Sequence, residues 1–459
     1  MLGPRVYEHS PHWLRDVLVS LQGQLFVLQR YGKIYANARQ ECQQLEYEAR
    51  HNAAQRQDRL FSALVQHAAS RSPVYQELYR GVALPQRVCD IATLPVLTKE
   101  SVRAALDGLR TRPHRAGDVS VHTSGMTGTP LEFSFDRADF QRRMAVLDSY
   151  RAWFGVERGD RRATFSGRVV TPARDRSGRF WQTNRALNQR LYSSYHLSAE
   201  NLPSYIDDLE RFRPRFLDGY PSTLWILARH LLSQGRSLSF KPRVIFVTGE
   251  NLSERARDDL QAAFDCAVKD QYASSEGAPF IVECEAGRHH FLSYTGVLEI
   301  LDEAGAPAES GRAVFTSFHS NLMPLIRYDI GDFASWSRET SCDCGRHYPL
   351  VERISGREED YLVSSTRGKV GRLDPIFKKL PPSILRSQIV QRAVDEIELL
   401  YVPDRARFQQ QHLDVIAQEL RDRLGEQLRI QFHSVDEIPM RGQRKFKAVV
   451  SELDDVSAH

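Results

Sequence analysis

The chain has 459 residues, 41% of them hydrophobic and 26% charged, enough for one large domain plus a small one in a soluble globular protein. The formal net charge is only +4, with acidic and basic residues interspersed, which gives no reason to expect a nucleic-acid partner. No apolar run is long enough to span a bilayer, and Arg5, Glu8, Arg15 and Asp16 do not fit a secretory signal. Six cysteines, two of them as Cys342-x-Cys344, make no disulfide framework in a chain of this size. A reducing, cytoplasmic setting with a metal site is the expectation.

From residue 11 to 70 the apolar periodicity is helical, with Trp13, Leu14, Val17, Leu18, Leu21, Leu25 and Leu28 on one face. Such a face can lie on a membrane or a partner. Asp16, Gln22 and Gln24 supply no cationic rim, so packing on the chain's own core is the expected use. Residues 40–58 are polar and read as exposed helix, and Thr98 before Lys99-Glu-Ser101 reads as a helix cap. Then comes Val121-His-Thr-Ser-Gly-Met-Thr-Gly-Thr-Pro130, with short strand patterns on both sides, at 119–121 and 131–135. The glycine-rich piece is therefore a tight loop between two strands. Gly125 and Gly128 let backbone approach a ligand, and successive N–H groups can cradle an anion. The hydroxyls of Thr123, Ser124 and Thr127 add donors suited to phosphate oxygens. The loop is a candidate for the β- and γ-phosphates of ATP; the other reading is a polar hairpin. No Gly-Lys-Ser/Thr follows, so it is not the P-loop that opens a helix.

Residues 139–155 carry Phe140, Met144, Leu147, Tyr150 and Phe154 at helical spacing, a core stripe. Residues 158–178 are rich in arginine and glycine and read as a loop or a pair of exposed strands. Phe180, Trp181 and Tyr192 bring large aromatics back, as core or as the wall of an aromatic-acid pocket. Residues 216–220 read as a strand, and Pro221 fits the first turn of the helix after it. Val244–Thr248 is a buried-strand pattern ending at Gly249-Glu250; a helix over 253–264 and a strand over 267–271 follow. Strand–helix–strand order argues for a parallel sheet flanked by helices. Ligands bind at the carboxyl ends of such strands, where Gly249, Glu250 and residues 272–276 fall. After Phe291 the pattern changes to hairpins, 296–300 and 313–318, around the turn 302–307. The charge-rich remainder holds a strand (396–402), a helix (412–424) and a strand (429–433). The boundary is expected near Glu358–Asp360, giving a domain of residues 1–357 and a smaller one of 358–459.

Five later pieces follow the glycine-rich loop in order: Tyr272-Ala-Ser-Ser-Glu276, Arg327-Tyr-Asp-Ile-Gly-Asp332, Gly356-Arg-Glu-Glu-Asp360, Gly371-Arg-Leu-Asp-Pro-Ile-Phe377 and Ile438-Pro-Met-Arg-Gly-Gln-Arg-Lys445. The set resembles the adenylate-forming superfamily of acyl- and aryl-coenzyme A ligases. Residues 184–231, with Ser193-Ser-Tyr-His-Leu197 and Asp218-Gly-Tyr-Pro-Ser222, are most similar to the phenylacetate–coenzyme A ligase branch and its CapK-type group. The resemblance covers nearly the whole chain. It implies an α/β fold of the adenylate-forming type: a large N-terminal α/β domain with a parallel sheet and a β-hairpin subdomain, and a small mobile α+β C-terminal domain.

The resemblance also implies a reaction. A carboxylic acid, aryl or acyl, is activated with ATP as an acyl-adenylate, then passed to coenzyme A, a carrier protein, or an amine or hydroxyl. CapK-type members occur in surface-polysaccharide contexts, and a secondary-metabolite role is equally open. Glu276 matches the magnesium-associated glutamate, Tyr272 the residue that stacks on adenine, with Gly249, Glu250 and Ser275 beside the nucleotide. Asp332 matches the aspartate that accepts from the ribose hydroxyls, and Arg357 a nucleotide-contacting arginine next to the hinge at Glu359-Asp360. Trp181, Tyr220 and Ala273 are candidate lining for the acid pocket. Lys445 matches the lysine that reaches the acid carboxylate and the α-phosphate. The usual Ser-Gly-Lys reads Gln443-Arg-Lys445 here, which makes Lys447 the fallback, and Thr129 stands where many relatives carry a lysine. Apart from the nucleotide, Cys284-x5-His290 and Cys342-x-Cys344 offer three sulfurs and one imidazole, a closed tetrahedral zinc set. Members of the branch carry a similar quartet, read as a structural zinc holding two hairpin loops near the active site, with His289 competing with His290. The alternative to an enzyme is a nucleotide-binding scaffold that has lost turnover. The oligomeric state is open, a homodimer among the options.

Overall fold

The computed structural model describes residues 7, 10–122, 131–167, 169–172, 175, 177–355, 362–365, 368–370, 383–405, 407–436, 438 and 449–453. Among the described residues, helices α1 (His12–Arg30), α2 (Lys33–Leu45) and α3 (Arg50–Arg71) follow one another in the N-terminal part. α4 (Pro73–Leu78) begins on proline, whose missing N–H is no loss in a first turn. α5 (Lys99–Ala104) is capped where expected: the Ser101 amide donates to Thr98 Oγ1 at 3.2 Å and the Thr98 amide to Ser101 Oγ at 2.9 Å. No described helix is long and apolar enough to cross a membrane.

The two strands expected around the glycine-rich loop are present. β1 (Val119–His122) and β2 (Glu132–Phe135) pair antiparallel, Val119 opposite Phe135 and His122 opposite Glu132. Residues 123–130 lie outside the described residues. α6 (Arg137–Ala152) follows, capped by Asp136. It differs from a simple core stripe, because it buries Asp139, Gln141, Arg143, Asp148 and Arg151 as well as Tyr150. These polar groups are hydrogen-bonded, which is what makes their burial tolerable.

A twelve-stranded sheet forms the body, in the order β11-β12-β13-β14-β10-β9-β8-β7-β6-β3-β5-β4. One half is β3 (Arg162–Ser166), β4 (Trp181–Asn184), β5 (Gln189–Ser193), β6 (Phe216–Gly219), β7 (Val244–Thr248) and β8 (Ala267–Tyr272). All of these run parallel except the edge strand β4. Helices α7 (Leu202–Phe212), α8 (Pro221–Ser233) and α9 (Glu254–Phe264) connect them, and Leu217, Leu224, Leu227, Ile245, Val247, Leu260 and Val268 close the core between the layers. β3 lies inside the arginine-rich stretch expected to be loop or exposed strand. It is central: Ala163 and Phe165 are fully buried, and Arg162 pairs with Asp218 of β6. Arg151 and Thr164 also donate to Asp218, at 3.0 and 2.6 Å. Burial opposes ionisation of Asp218, but Arg162 and Arg151 outweigh it and hold the carboxyl below its usual range. Gly219 lets β6 close on β3, since a Cβ there would sit 2.2 Å from the Phe165 carbonyl oxygen.

The other half is antiparallel: β9 (Ile281–Glu283), β10 (His289–Phe291), β11 (Gly296–Leu301), β12 (Ser310–Ser317), β13 (Tyr328–Trp336) and β14 (Leu350–Ser355). The expected hairpin at 302–307 is the β11–β12 turn. A separate four-stranded sheet, β19-β18-β17-β20, has its own core. It comprises β17 (Ile384–Ala393), β18 (Glu396–Pro403), β19 (Arg429–Ser434) and β20 (Val449–Ser451), with α10 (Gln411–Leu424) supplying Leu413, Ile416, Leu420 and Leu424. β15 (Leu362–Ser364) and β16 (Gly368–Val370) form a short hairpin beside it.

α1 overturns the expectation that its apolar face packs inward. Its polar face does. Asp16 accepts from the Thr183 amide at 2.7 Å, Ser20 bonds the Thr183 carbonyl and the Arg185 amide, and Arg15 pairs with Asp175 at 2.8 Å. These side chains close the outer edge of β4. Gly23 permits the contact, because any Cβ would run into the Asn184 side chain. Trp13, Val17, Leu21, Leu25 and Leu28 are left facing outward.

Candidate active site

The carboxyl ends of the parallel strands converge on one region. β6 leads into Tyr220, β7 leads into Gly249-Glu250, and β8 ends at Tyr272. Gly249 holds a left-handed backbone, φ +79°, at which a side chain would be strained. The Glu250 carboxylate accepts from the Ser222 amide at 3.0 Å and so sits on the amino end of α8, where the helix dipole favours a negative charge. Tyr220 is half-buried beside Gly167, and Ala273 and Ser275 are exposed on the loop after β8. Trp181 lies opposite Tyr192 on the far edge strand, inside the core between sheet and helices. Its ring is used in packing three strands away from β6.

Tyr272 is the hinge of the arrangement. Its hydroxyl donates to Asp332 Oδ2 at 2.6 Å, and its ring stacks on Phe315 with centroids 5.9 Å apart. β8 and β13 are four strands apart in the sheet order, so this contact requires the antiparallel half to curl over the parallel half. Burial, followed by the Asp332 and Glu276 charges, holds the Tyr272 phenol well above its usual range. It therefore stays a donor at any working pH. Glu276 is 9% exposed, four residues past the end of β8.

The loop carrying Glu276 is fixed to β2, the strand that leaves the glycine-rich segment. A Cβ at Gly277, φ +93°, would lie 2.8 Å from the Phe135 ring. The clamp is Arg143 of α6: it donates to the Gly277 carbonyl at 2.8 Å and to that of Ala278 at 3.3 Å, and its guanidinium lies over Phe135 and Phe280. Burial lowers its pKa to about 10, with Asp139 opposing, so it remains charged. Nothing in a single sequence separates this arginine from its neighbour Arg142. Arg143→Met is expected to cost about 2 kcal/mol, since two buried carbonyls lose a charged donor. It should slow any chemistry at Glu276 roughly tenfold through misplacement of the loop. Urea unfolding and pyrophosphate-release assays read the two effects separately.

Arg327, the first residue of the Arg327–Asp332 motif, is structural. It is buried and bidentate on Glu299 at 3.0 and 2.8 Å, donates to the carbonyls of Ala92 and Leu94, and holds φ +51°. Arg327→Ala should lose about 3–5 kcal/mol, because Glu299 is left buried and unpaired. Equilibrium denaturation should show most of that loss recovered in Arg327→Met with Glu299→Leu. Two further predicted residues, Arg357 and Lys445, lie outside the described residues, as do Lys447, Thr123, Ser124, Gly125, Thr127 and Gly128. The smaller sheet's helix touches the body through Arg423, whose guanidinium lies 4.7 Å over the Tyr195 ring and donates to its hydroxyl at 3.2 Å.

The structure brings the cysteine–histidine quartet together. The ligand atoms of Cys284, His290, Cys342 and Cys344 all lie within 4.8 Å of one another, with Cys284 Sγ–Cys342 Sγ at 3.6 Å and Cys344 Sγ–His290 Nε2 at 3.3 Å. Zn–S near 2.3 Å and Zn–N near 2.0 Å put tetrahedral edges at about 3.8 and about 3.6 Å, so the donors fit zinc. His289 and His290 are neighbours on β10 and point to opposite faces. His289 faces Asp270, 3.5 Å away, and His290 faces the sulfurs. Burial lowers the His290 pKa to about 4, which leaves a neutral imidazole to ligate, and raises that of Cys284 to about 12. The quartet ties the β9–β10 turn to the β13–β14 connection. Cys284 is level with Lys269 on β8, from the register Gln271–Val282, so it lies roughly 10 Å along the strand from Tyr272 rather than at the carboxyl ends.

Comparison with known proteins fits this geometry. A family model described as the CapK C-terminal domain matches residues 362–452. Protein CapK of Staphylococcus aureus is 32% identical over 451 residues, covering 96% of this chain and 98% of that one. A phenylacetate-coenzyme A ligase of Thermus thermophilus is 27% identical over 232 residues, 46% of this chain and 50% of that one. Among solved structures, 2-hydroxyisobutyryl-CoA ligase in complex with 2-HIB-AMP and CoA superposes with a TM-score of 0.57 at 18% identity, covering 89% of this chain and 91% of that one. At that identity the likeness shows the fold. The chain therefore belongs to the CapK family, and it has the fold of the adenylate-forming ligases.

Proposed function

We propose that the chain uses ATP to activate an aryl or acyl carboxylic acid as an acyl-adenylate and then passes the acyl group to coenzyme A, a carrier thiol, or an amine or hydroxyl. The observation that carries this reading is the Tyr272–Asp332 pair beside Glu276, with the loop held against β2. Adenine stacks on the Tyr272 face not taken by Phe315. Asp332 accepts from the ribose diol as well as from Tyr272, as a two-oxygen acceptor can. Thr123, Ser124, Thr127 and the backbone around Gly125 and Gly128 receive the β- and γ-phosphates, with Gly249 and Ser275 bordering the nucleotide. Glu276 would hold magnesium, which would supply positive charge to the phosphates.

In the first step a carboxylate oxygen of the acid attacks the α-phosphorus, the bond to the bridging oxygen breaks, and pyrophosphate leaves. Lys445 and Arg357 supply positive charge to that transition state. In the second step the acceptor's sulfur, nitrogen or oxygen attacks the acyl carbon and AMP leaves. Division into residues 1–357 and 358–459, with movement about Glu359-Asp360, lets Lys445 be delivered for one step and withdrawn for the other. The separate sheet and core of the smaller part support this division. Cys284, His290, Cys342 and Cys344 hold a structural zinc, in a reducing, cytoplasmic setting. A surface-polysaccharide pathway suits the resemblance to the CapK-type group.

The test is pyrophosphate release from ATP and magnesium across a panel of aryl, fatty and hydroxy acids, each with and without coenzyme A. Release with one class of acid is expected, and the coenzyme A dependence of AMP formation assigns the acceptor. ATP binding with no release under any acid would contradict the reading and leave a nucleotide-binding scaffold.

A further inference from the structure

The outer face of α1 carries an apolar ridge that no described element covers. Trp13, Val17, Leu21 and Leu25 follow at four-residue intervals and Leu28 extends the row; each is between 46% and 66% exposed. The other exposed positions within α1 are Gln22 and Gln24, so the outer face carries no charged side chain exposed to that degree. The charged groups nearby are occupied inward, Arg15 on Asp175 and Asp16 on Thr183 and Arg179.

We propose that a second copy of the chain covers this face, with α1 packing antiparallel on α1 about a twofold axis at Leu21. Three observations select that occupant. The ridge is nearly symmetric about Leu21: an antiparallel copy sets Leu21 against Leu21, Val17 against Leu25, and Trp13 within one residue of Leu28. A twofold interface demands such self-complementarity, and rows of i±4 side chains are the commonest way for helices to pack. The five side chains expose roughly 500 Å² of apolar surface per copy, more than half of the ~800 Å² per partner that a stable interface buries. Gln22 and Gln24 carry both donors and acceptors and can bond to their own counterparts, whereas a lipid surface would call for cations here. Pairing through the β4 edge beside this face is closed to a second copy, because Asp16 and Ser20 already occupy it.

Sedimentation velocity of the full chain from about 1 to 50 µM tests this. The wild type is expected to dimerise. Leu21→Glu sets two carboxylates against each other on the axis and should weaken the dimer at least about 100-fold, with the circular-dichroism spectrum of the folded chain unchanged because the site is exposed. Val17→Lys and Leu25→Glu should each weaken it. Together they should restore it at least about tenfold, since each lysine then meets a glutamate of the other copy. A wild type monomeric at every concentration, or a dimer indifferent to Leu21→Glu, overturns the proposal. A monomer that co-sediments with phosphatidylglycerol vesicles, and loses this with Leu21→Glu, also overturns it and gives the face to a lipid surface. Failure of the double substitution to restore association overturns the antiparallel arrangement.

Discussion

Lys445→Ala is expected to slow acyl-adenylate formation about 10³-fold while changing ATP affinity less than about threefold. The acid carboxylate and the α-phosphate are both anionic, and their repulsion is greatest as the new bond forms. A single ammonium brought between them acts mainly in the transition state, and removing one such group typically costs 10²–10³ in rate. The other contacts proposed for the nucleotide, on the Tyr272–Asp332 pair and the glycine-rich loop, are untouched by this substitution, so binding should persist. Lys445→Arg should not rescue, because the planar guanidinium cannot take the place of a point charge on a flexible stem. Calorimetric ATP titration and acid-dependent pyrophosphate exchange measure the two quantities. The same loss with Lys447→Ala, and none with Lys445→Ala, would shift the role by two residues.

Loss of zinc is the second large effect. Cys342→Ser with Cys344→Ser should reduce the metal content from about one zinc per chain to a small fraction and lower the melting midpoint by about 10 °C. Cys284 and His290 would then lie on the β9–β10 hairpin held to the β13–β14 connection by the Arg288–Glu339 and Arg346–Glu285 ion pairs, without the metal that the quartet is proposed to share. Metal analysis and calorimetry read these effects. Hydrogen exchange should locate the loosening in residues 281–291 and 337–350. The quartet stands away from the strand carboxyl ends, so pyrophosphate release by the folded variant at low temperature should stay within about threefold of wild type. A wild type holding no zinc would remove this part of the account.

Much of the site scaffold could be read from the residues. Val244–Thr248, α9 and the strand into Tyr272 showed a buried strand, a helix and a strand with turn residues between, and they form β7-α9-β8. The quartet was readable from its donor types. The choice between His289 and His290 was left open by the residues and is made by the structure, where His289 faces Asp270 and His290 faces the sulfurs. β3 was missed because Arg162 reads as surface until Asp218, 56 residues later, is known to neutralise it. β17 was passed over for a similar reason: Gln391 is buried, but its amide is bonded to both the N–H and the carbonyl of Val363. The inward polar face of α1 inverts the usual rule, since an open strand edge called for Asp16 and Ser20. The Arg143 clamp and the Tyr272–Asp332 bond are long-range contacts, and no local pattern announces them.

The most direct measurement follows the acid's own oxygen. An acid that supports pyrophosphate release is labelled with oxygen-18 in its carboxylate, the reaction is carried to completion with acceptor, and AMP and pyrophosphate are examined by mass spectrometry. Attack of the carboxylate on the α-phosphorus leaves one labelled oxygen in AMP when the acyl group departs, and none in pyrophosphate. Label in AMP alone is the result predicted here. Unlabelled AMP, or label in a released phosphate, would contradict adenylation as the chemistry of this site.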